Sequence, residues 1–298
     1  MNDAASIEDL VAAELAEPVD PRVSAMAAAI AARYPGAARA MLFYGSCLRQ
    51  RQLDGLMLDF YLIVSDYPDA YGNSWLAPAN RLIPPNVFPF AHEGLSAKYA
   101  VLSEADFARE CGAGAKTVSV WARFAQPARL VWASDEAARG RAVASIAEAA
   151  PTLLRLTLPM LETGEGRDPL AGWRRGFALT YASELRAERR ERMSSFVDVD
   201  PERYRRFGAA ILPRLAEAPI ARSSAERAWR GLRRRGKAVT VLRLLKASFT
   251  FAGGIDYLAW KINRHAGTKI EIRPWQRRWP LAAALILLPR LLRRGAIR

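Results

Sequence analysis

Two apolar runs separated by a polar turn dominate the hydrophobic pattern in the first half of the chain. Residues 39–44 are apolar enough for a buried strand, and residues 56–64 form a second apolar run of strand length. Between them, Gly45 and Ser46 end the first run and predict a tight turn that leads into a helix. The second run contains one carboxylate, Asp59, and burying an unpaired charge is costly. Asp59 therefore requires an ion-pair partner, a proton or a metal ion.

The pattern around these two runs predicts helices before them and further strands after them. Apolar residues at helical spacing predict helices over residues 4–16 and 22–33, both packing on the sheet that follows. Residues 68–90 are rich in proline and asparagine and are predicted to form a long loop that binds substrate. Strands are predicted over residues 97–102 and 128–132.

The second half of the chain reads as helical. Ser103 begins a capping pattern that predicts a short helix to about Cys111, whereas residues 119–124 fit either a helix or a strand. From Ser134 onward, helical spacing of apolar residues predicts a series of helices. These cover residues 135–149, 151–161, about 168–192, 200–218 and 223–250.

This order of elements predicts an α/β (α+β) protein in which a mixed-sheet domain is followed by a helical domain. We expect N-terminal helices over residues 1–37 to pack on a sheet domain of residues 38–133. The helical domain is expected over residues 134–270, and a basic amphipathic tail over residues 271–298.

The tail combines tryptophan, leucine and arginine. Trp275 and Trp279 precede an apolar block that is too short to span a bilayer, and after Glu271 the chain has seven arginines and no acid. Such a segment is typical of a helix lying in the membrane interface. The alternative is a core helix with a basic end.

Charge and cysteine content narrow the choice of partner. The 298 residues carry a formal net charge of +14, which indicates an anionic partner. Two cysteines and two histidines, far apart in sequence, form neither a disulfide framework nor a zinc motif. No aromatic RNA-binding platform or DNA-reading motif is present, so we expect no nucleic acid partner. The N-terminus lacks the pattern of a signal peptide, which favours a cytoplasmic setting. Together with the membrane-interface tail, this predicts a peripheral protein on the cytoplasmic face of the inner membrane.

The Gly45-Ser46 turn and Asp59 together indicate nucleotide chemistry. The turn offers backbone N–H groups, a hydroxyl and a helix N-terminus, which are the groups that bind phosphate. A Gly-Ser turn followed by a strand carboxylate resembles the nucleotidyltransferase pattern of Gly-Ser and then Asp-x-Asp, but Tyr61 replaces the second carboxylate here. A second magnesium ligand can then come from a nearby acid or from substrate phosphates. The nearby acids are Asp54, Asp66 and Asp69.

Several short motifs resemble, in the same order, those of the mitochondrial-type CDP-diacylglycerol synthases, which are phosphatidate cytidylyltransferases of the nucleotidyltransferase superfamily. That family has a Tyr-Gly-Ser-Gly turn before a Leu/Ile-Asp-Phe strand that also lacks the second carboxylate; Cys47 stands where it prefers the second glycine. The resemblance spans roughly residues 40–265. It rests on Tyr44-Gly45-Ser46, Leu58-Asp59-Phe60, Asp66, Lys98-Tyr99-Ala100-Val101-Leu102-Ser103, residues 121–127, Tyr181-Ala182-Ser183-Glu184-Leu185-Arg186, and residues 237–261 with Lys246 and Gly253-Gly254.

The resemblance implies a nucleotidyltransferase-like sheet domain with the active site in the cleft beside the helical domain. It implies that CTP and phosphatidic acid react with Mg²⁺ to give CDP-diacylglycerol and pyrophosphate at an anionic membrane surface. The expected roles are as follows: Tyr44, Gly45 and Ser46 bind the CTP phosphates, Asp59 and Asp66 bind Mg²⁺, and Lys98 and Arg123 neutralise phosphate charge.

Other interpretations of the same residues remain open. Asp59 can be a structural ion-pair partner, Asp66 a cap at the end of its strand, and Glu184 and Arg186 part of a solvated helix face. At the level of function, the alternatives are a nucleotidyltransferase with another phosphorylated acceptor and a non-catalytic basic module that binds membrane or RNA on a degenerate nucleotidyltransferase fold. The sequence leaves the oligomeric state open.

Overall fold

A mixed β-sheet lies at the centre of the molecule. The computed structural model describes residues 5–50, 53–165, 168–184 and 195–250. Within these residues five strands form one sheet in the order β3-β4-β2-β1-β5, in which β2 and β4 are parallel and the other neighbours antiparallel. The strands are β1 (Ala38–Tyr44), β2 (Met57–Val64), β3 (Asn86–His92), β4 (Leu95–Ser103) and β5 (Ala128–Ala133). The predicted α+β class with a mixed sheet is therefore confirmed.

Helices surround this sheet and make up most of the described residues after β5. Those before and between the strands are α1 (Ile7–Leu15), α2 (Pro21–Ala31), α3 (Ser46–Gln50), α4 (Tyr67–Tyr71), α5 (Leu76–Leu82), α6 (Glu104–Cys111) and α7 (Trp121–Phe124). Those after β5 are α8 (Glu136–Ala147), α9 (Ala149–Thr157), a 3₁₀ turn (Leu158–Met160), α10 (Ala171–Ser183), α11 (Ser195–Val199), α12 (Pro201–Glu217) and α13 (Arg222–Thr250).

The two faces of the sheet pack into two different cores. On one face, Phe43 and Phe60 pack with Met26 of α2. On the other face, Leu42 and Tyr61 belong to the core that the helices of the second half complete. Burial on both faces explains why the central strands read as nearly continuous apolar runs.

The segment predicted as a loop over residues 68–90 is instead mostly regular structure, and that prediction is wrong. It forms α4, α5 and β3. Its asparagines are buried because they satisfy backbone groups: Asn80 donates to the carbonyl of Val101 at 2.9 Å, and Asn86 donates to that of Leu76 at 3.1 Å. Pro89 is tolerated because β3 is an edge strand.

The structure also bears on the predicted short helices and on the predicted membrane segment. The ambiguous residues 119–124 contain the short helix α7, and Ser103 caps α6 by accepting a hydrogen bond from the backbone N–H of Asp106. No helix among the described residues is long and apolar enough to cross a membrane. The predicted tail over residues 271–298 lies outside the described residues, as does the end of the helical domain.

Candidate functional site

Strand register brings three of the predicted site residues into one row across the sheet. Tyr44 of β1 pairs with Asp59 of β2, and Asp59 in turn pairs with Lys98 of β4. Residues directly opposite one another on neighbouring strands point to the same face. By the alternation of each strand, this face is the one covered by α7, because Tyr61, two residues after Asp59, packs with Phe124 of α7 in the same core.

An ion pair accounts for the carboxylate inside β2. The Nζ atom of Lys98 lies 3.0 Å from Oδ1 of Asp59, and the two side chains are 28% and 19% exposed. The opposite charge of Lys98 offsets the cost of partly burying Asp59. Since both side chains keep access to solvent, a ligand can reach the carboxylate and the ammonium group.

The turn after β1 lies directly against this carboxylate. Gly45 adopts a φ of +98°, and a Cβ atom placed on it would lie 3.1 Å from Oδ2 of Asp59. Glycine is therefore needed here both for the backbone conformation and for the close approach. The next residue, Ser46, is exposed and begins α3. The exposed hydroxyl is thus one residue from the point where the turn meets the carboxylate.

Arg123 reaches the same row from α7. It donates to the backbone carbonyl of Ser119 and lies 4.0 Å from a carboxylate oxygen of Glu184, and its charge acts to lower the pKa of the nearby Tyr44 hydroxyl. Burial by itself would lower the pKa of Arg123, but Tyr61, Glu184, Tyr44 and Asp59 together raise it, so the guanidinium stays charged. Burial and the nearby charge of Asp59 raise the pKa of Tyr44 well above its usual value, so this hydroxyl stays protonated.

Glu184 is buried, in contrast to the solvated helix face that is one interpretation of its sequence. Glu184 as a whole is 8% exposed, and its carboxylate accepts a hydrogen bond from the hydroxyl of Ser119. The same hydroxyl accepts a hydrogen bond from Arg243 at 2.7 Å. Sequence reasoning missed Ser119 and Arg243, because nothing local in the sequence shows that α13 crosses α7. Arg186 lies outside the described residues.

Two basic side chains of α13 bind the backbone just before β3. Lys246 donates from Nζ to the carbonyls of Ile83 and, at 2.8 Å, of Pro85. Arg243 donates from Nε to the carbonyl of Pro84 at 2.7 Å. Burial, together with the nearby charge of Arg243, lowers the pKa of Lys246 to about 7. These contacts fix α13 against the segment that leads into β3.

Lys246 is expected to make the free energy of unfolding rise with pH above about pH 7. In the unfolded chain a lysine keeps its proton up to its usual pKa of 10.5, whereas folded Lys246 loses it at about 7. The unfolded state therefore binds more protons between these two values, and stability rises there by up to about 1.4 kcal/mol per pH unit. Below the lower value both states are protonated, and the contribution is constant.

Urea unfolding of the wild type and Lys246→Met across this pH range measures the effect. The wild type should gain stability relative to Lys246→Met as pH rises. Lys237→Met is the matched control, because Lys237 is exposed on the same helix, and it should follow the wild type. If the free energy of unfolding of Lys246→Met has the same pH dependence as that of the wild type, Lys246 titrates as an ordinary exposed lysine.

Asp66, the second predicted metal ligand, is not brought to Asp59. It lies beyond the opposite end of β2, and the five residues from Asp59 to Val64 alone span roughly 16 Å of extended chain. The exposed Asp66 side chain caps α4 by accepting a hydrogen bond from the backbone N–H of Asp69 at 2.8 Å. The interpretation as a cap at the end of the strand is thus the one the geometry supports.

The other acids considered as a second ligand also have partners elsewhere. Asp54 forms an ion pair with Arg22 at 3.0 Å, and Asp69 accepts a hydrogen bond from the hydroxyl of Ser65 at 2.7 Å. Among the described residues there is no cluster of three or more histidine, cysteine or acidic side chains. Since Mg²⁺ is often held by one carboxylate and substrate phosphates, Asp59 with the adjacent turn fits a magnesium ion that arrives with a nucleotide.

The site as a whole presents an open glycine turn, one accessible carboxylate and two flanking cations. Gly45 and Ser46 provide the turn, Asp59 the carboxylate, and Lys98 and Arg123 the cations. Such an arrangement can bind phosphates, because oriented backbone groups and fixed cations stabilise negative charge.

No family model matches this chain, and no curated protein matches it.

Proposed function

We propose that this protein is a Mg²⁺-dependent phosphatidate cytidylyltransferase, which converts CTP and phosphatidic acid to CDP-diacylglycerol and pyrophosphate. The observation that carries the proposal is the contact between the Gly45 turn and the Asp59 carboxylate, with Lys98 3.0 Å from the other carboxylate oxygen. A turn without a side chain, a carboxylate and a cation at one point are what a nucleotide triphosphate with its metal ion requires.

The proposed chemistry depends on positioning and charge neutralisation. The phosphate of the acceptor lipid is already an anionic nucleophile at neutral pH, so the reaction needs no strong general base. The backbone at Gly45 and the hydroxyl of Ser46 bind the triphosphate. Lys98 and Arg123 stabilise the negative charge that develops on the α-phosphate and the leaving pyrophosphate. A bound magnesium ion, held by Asp59, would neutralise further phosphate charge.

The contacts around Arg123 support its role as a phosphate-binding group. Its guanidinium is held by the Ser119 carbonyl and the Glu184 carboxylate. An arginine whose orientation is fixed before the substrate binds loses less side-chain entropy on binding. We therefore treat Glu184 as a positioning residue, which acts on the reaction through Arg123.

The choice of a lipid acceptor rests on the resemblance and on the basic character of α13. Residues 222–246 hold nine lysines and arginines and one acid, and most of these basic residues are exposed. Such a helix is attracted to an anionic membrane, where each cation near the surface contributes about 1 kcal/mol. The proposal therefore places the protein at the cytoplasmic face of the inner membrane, as a peripheral protein.

Product identification tests the proposed reaction. The full chain is incubated with CTP, Mg²⁺ and vesicles containing phosphatidic acid, and lipids are analysed by mass spectrometry. CDP-diacylglycerol is the expected product. Glycerol 3-phosphate, a sugar phosphate and a 5′-phosphorylated RNA are tested in parallel as acceptors. Transfer to one of these but not to phosphatidic acid would overturn the lipid assignment, and transfer to none would favour the non-catalytic binding module.

A further inference from the structure

A second concave site is lined by none of the residues of the row of Tyr44, Asp59 and Lys98. It is formed by α9, α13, the beginning of α7 and the segment of residues 112–115, and its volume is about 460 Å³. Its apolar lining includes the partly exposed side chains of Leu156 and Ile220. This volume falls in the range of sites that bind small organic ligands.

The cavity also carries positive charge that no acid of the protein neutralises within the described residues. Arg155 of α9 and Arg235 of α13 line the cavity and are exposed. Neither forms an ion pair with a carboxylate in the part of the chain that the structure describes. Two guanidinium groups beside an apolar wall favour a ligand with an anionic head group and an apolar body.

We propose that this cavity binds a single-chain anionic amphiphile, with the acyl chain against Leu156 and Ile220 and the head group between Arg155 and Arg235. The head group can be a carboxylate or a phosphate monoester, since both accept paired hydrogen bonds from arginine. The inference goes beyond the proposed reaction and is independent of it, because none of the residues assigned to CTP or Mg²⁺ lines this cavity.

Filling the cavity tests the proposal. Gly231 lies in α13 and lines the cavity, and a Cβ atom on it would meet no atom within 4 Å. Gly231→Leu therefore adds a side chain on the wall of the cavity, and its Cβ atom meets no neighbour. Gly140→Leu is the matched control, because Gly140 is also helical, also has open space at its Cβ and lies outside the cavity. Equilibrium dialysis with oleate below its micellar concentration should show one saturable site in the wild type and in Gly140→Leu, and at least tenfold weaker binding in Gly231→Leu.

Charge variants test the head-group assignment. Arg155→Gln combined with Arg235→Gln should weaken oleate binding at least tenfold, whereas Arg230→Gln on the exposed face of α13 should not. Lysophosphatidate should compete with oleate, and its relative affinity distinguishes a phosphate head group from a carboxylate. Dodecyltrimethylammonium and inorganic phosphate should not compete, because the first lacks the anion and the second lacks the chain.

Several results would overturn the proposal. The first is oleate uptake that does not saturate, and the second is equal oleate binding by Gly231→Leu and Gly140→Leu. The third is displacement of oleate by the cationic amphiphile. The fourth is displacement of oleate by inorganic phosphate that is as effective as displacement by lysophosphatidate. Urea unfolding of each variant shows whether it is folded. Failure of CTP turnover leaves these binding results unaffected, so the two proposals fail separately.

Discussion

Replacing Gly45 with alanine is expected to lower CTP turnover by roughly 100-fold. Gly45 has a φ of +98°, and the added Cβ would lie 3.1 Å from Oδ2 of Asp59, so the turn or the carboxylate must move. Small displacements of groups that position a reacting phosphate have effects of this size. The measurement is the rate of pyrophosphate release from CTP in the presence of phosphatidic acid vesicles.

Gly55→Ala is the matched control for Gly45→Ala. Gly55 also has a positive φ, +72°, but a Cβ atom there meets nothing within 4 Å. Alanine at this position costs about 1 kcal/mol of backbone strain and leaves Asp59 untouched. Turnover close to wild type is therefore expected for Gly55→Ala. Equal losses in the two variants would mean that backbone strain explains the effect and that the contact with Asp59 does not.

Replacing Arg203 with methionine is expected to destabilise the fold by about 3–5 kcal/mol. Arg203 of α12 is almost fully buried and pairs with Glu14 of α1, with Nη2 3.0 Å from Oε1. It also donates to the carbonyl of Ala125 at 3.1 Å and lies over the ring of Phe207. Methionine fills much of the same volume but leaves the carboxylate of Glu14 buried without its partner.

Arg205→Met serves as the control, and a double variant tests the mechanism. Arg205 lies on the same helix and pairs with Glu202, but its side chain is 51% exposed, so its loss should cost no more than about 1 kcal/mol. Combining Glu14→Leu with Arg203→Met should recover most of the lost stability, because both members of the buried pair are then replaced by apolar groups. Urea unfolding measures the change in the free energy of unfolding for Arg203→Met, for Arg205→Met and for the double variant. No recovery in the double variant would show that packing around Arg203, and not the pair, is what matters.

The elements that the sequence predicted best are those marked by a continuous run of apolar residues. The runs that became β1 and β2 were predicted within a residue or two, because buried strands are apolar along their whole length. The row of Tyr44, Asp59 and Lys98 could not be placed in this way. It depends on which strands are neighbours and in which register, and these are nonlocal properties.

The errors have physical causes as well. The segment of residues 68–90 reads as a loop because asparagine and proline disfavour regular structure, yet Asn80 and Asn86 are buried where their amides pair with backbone groups. The resemblance implies that Asp66 binds Mg²⁺ together with Asp59, because the matching strand of that family ends in acids. An extended strand separates them instead. Glu184 is buried through contact with Ser119, which lies just before α7 and far away in sequence.

One assay tests the central claim, that the Gly45 turn with Asp59 and Lys98 is a site of CTP chemistry. It compares Mg²⁺-dependent pyrophosphate release by the wild type, Asp59→Asn and Asp66→Asn, each with CTP and phosphatidic acid vesicles. Loss of the carboxylate that holds Mg²⁺ should lower the rate about 100-fold or more in Asp59→Asn. Asp66→Asn should retain wild-type activity, since asparagine also caps helices and Asp66 lies beyond the far end of β2. Equal rates for wild type and Asp59→Asn would contradict the claim, because Asp59 would then be only the structural partner of Lys98.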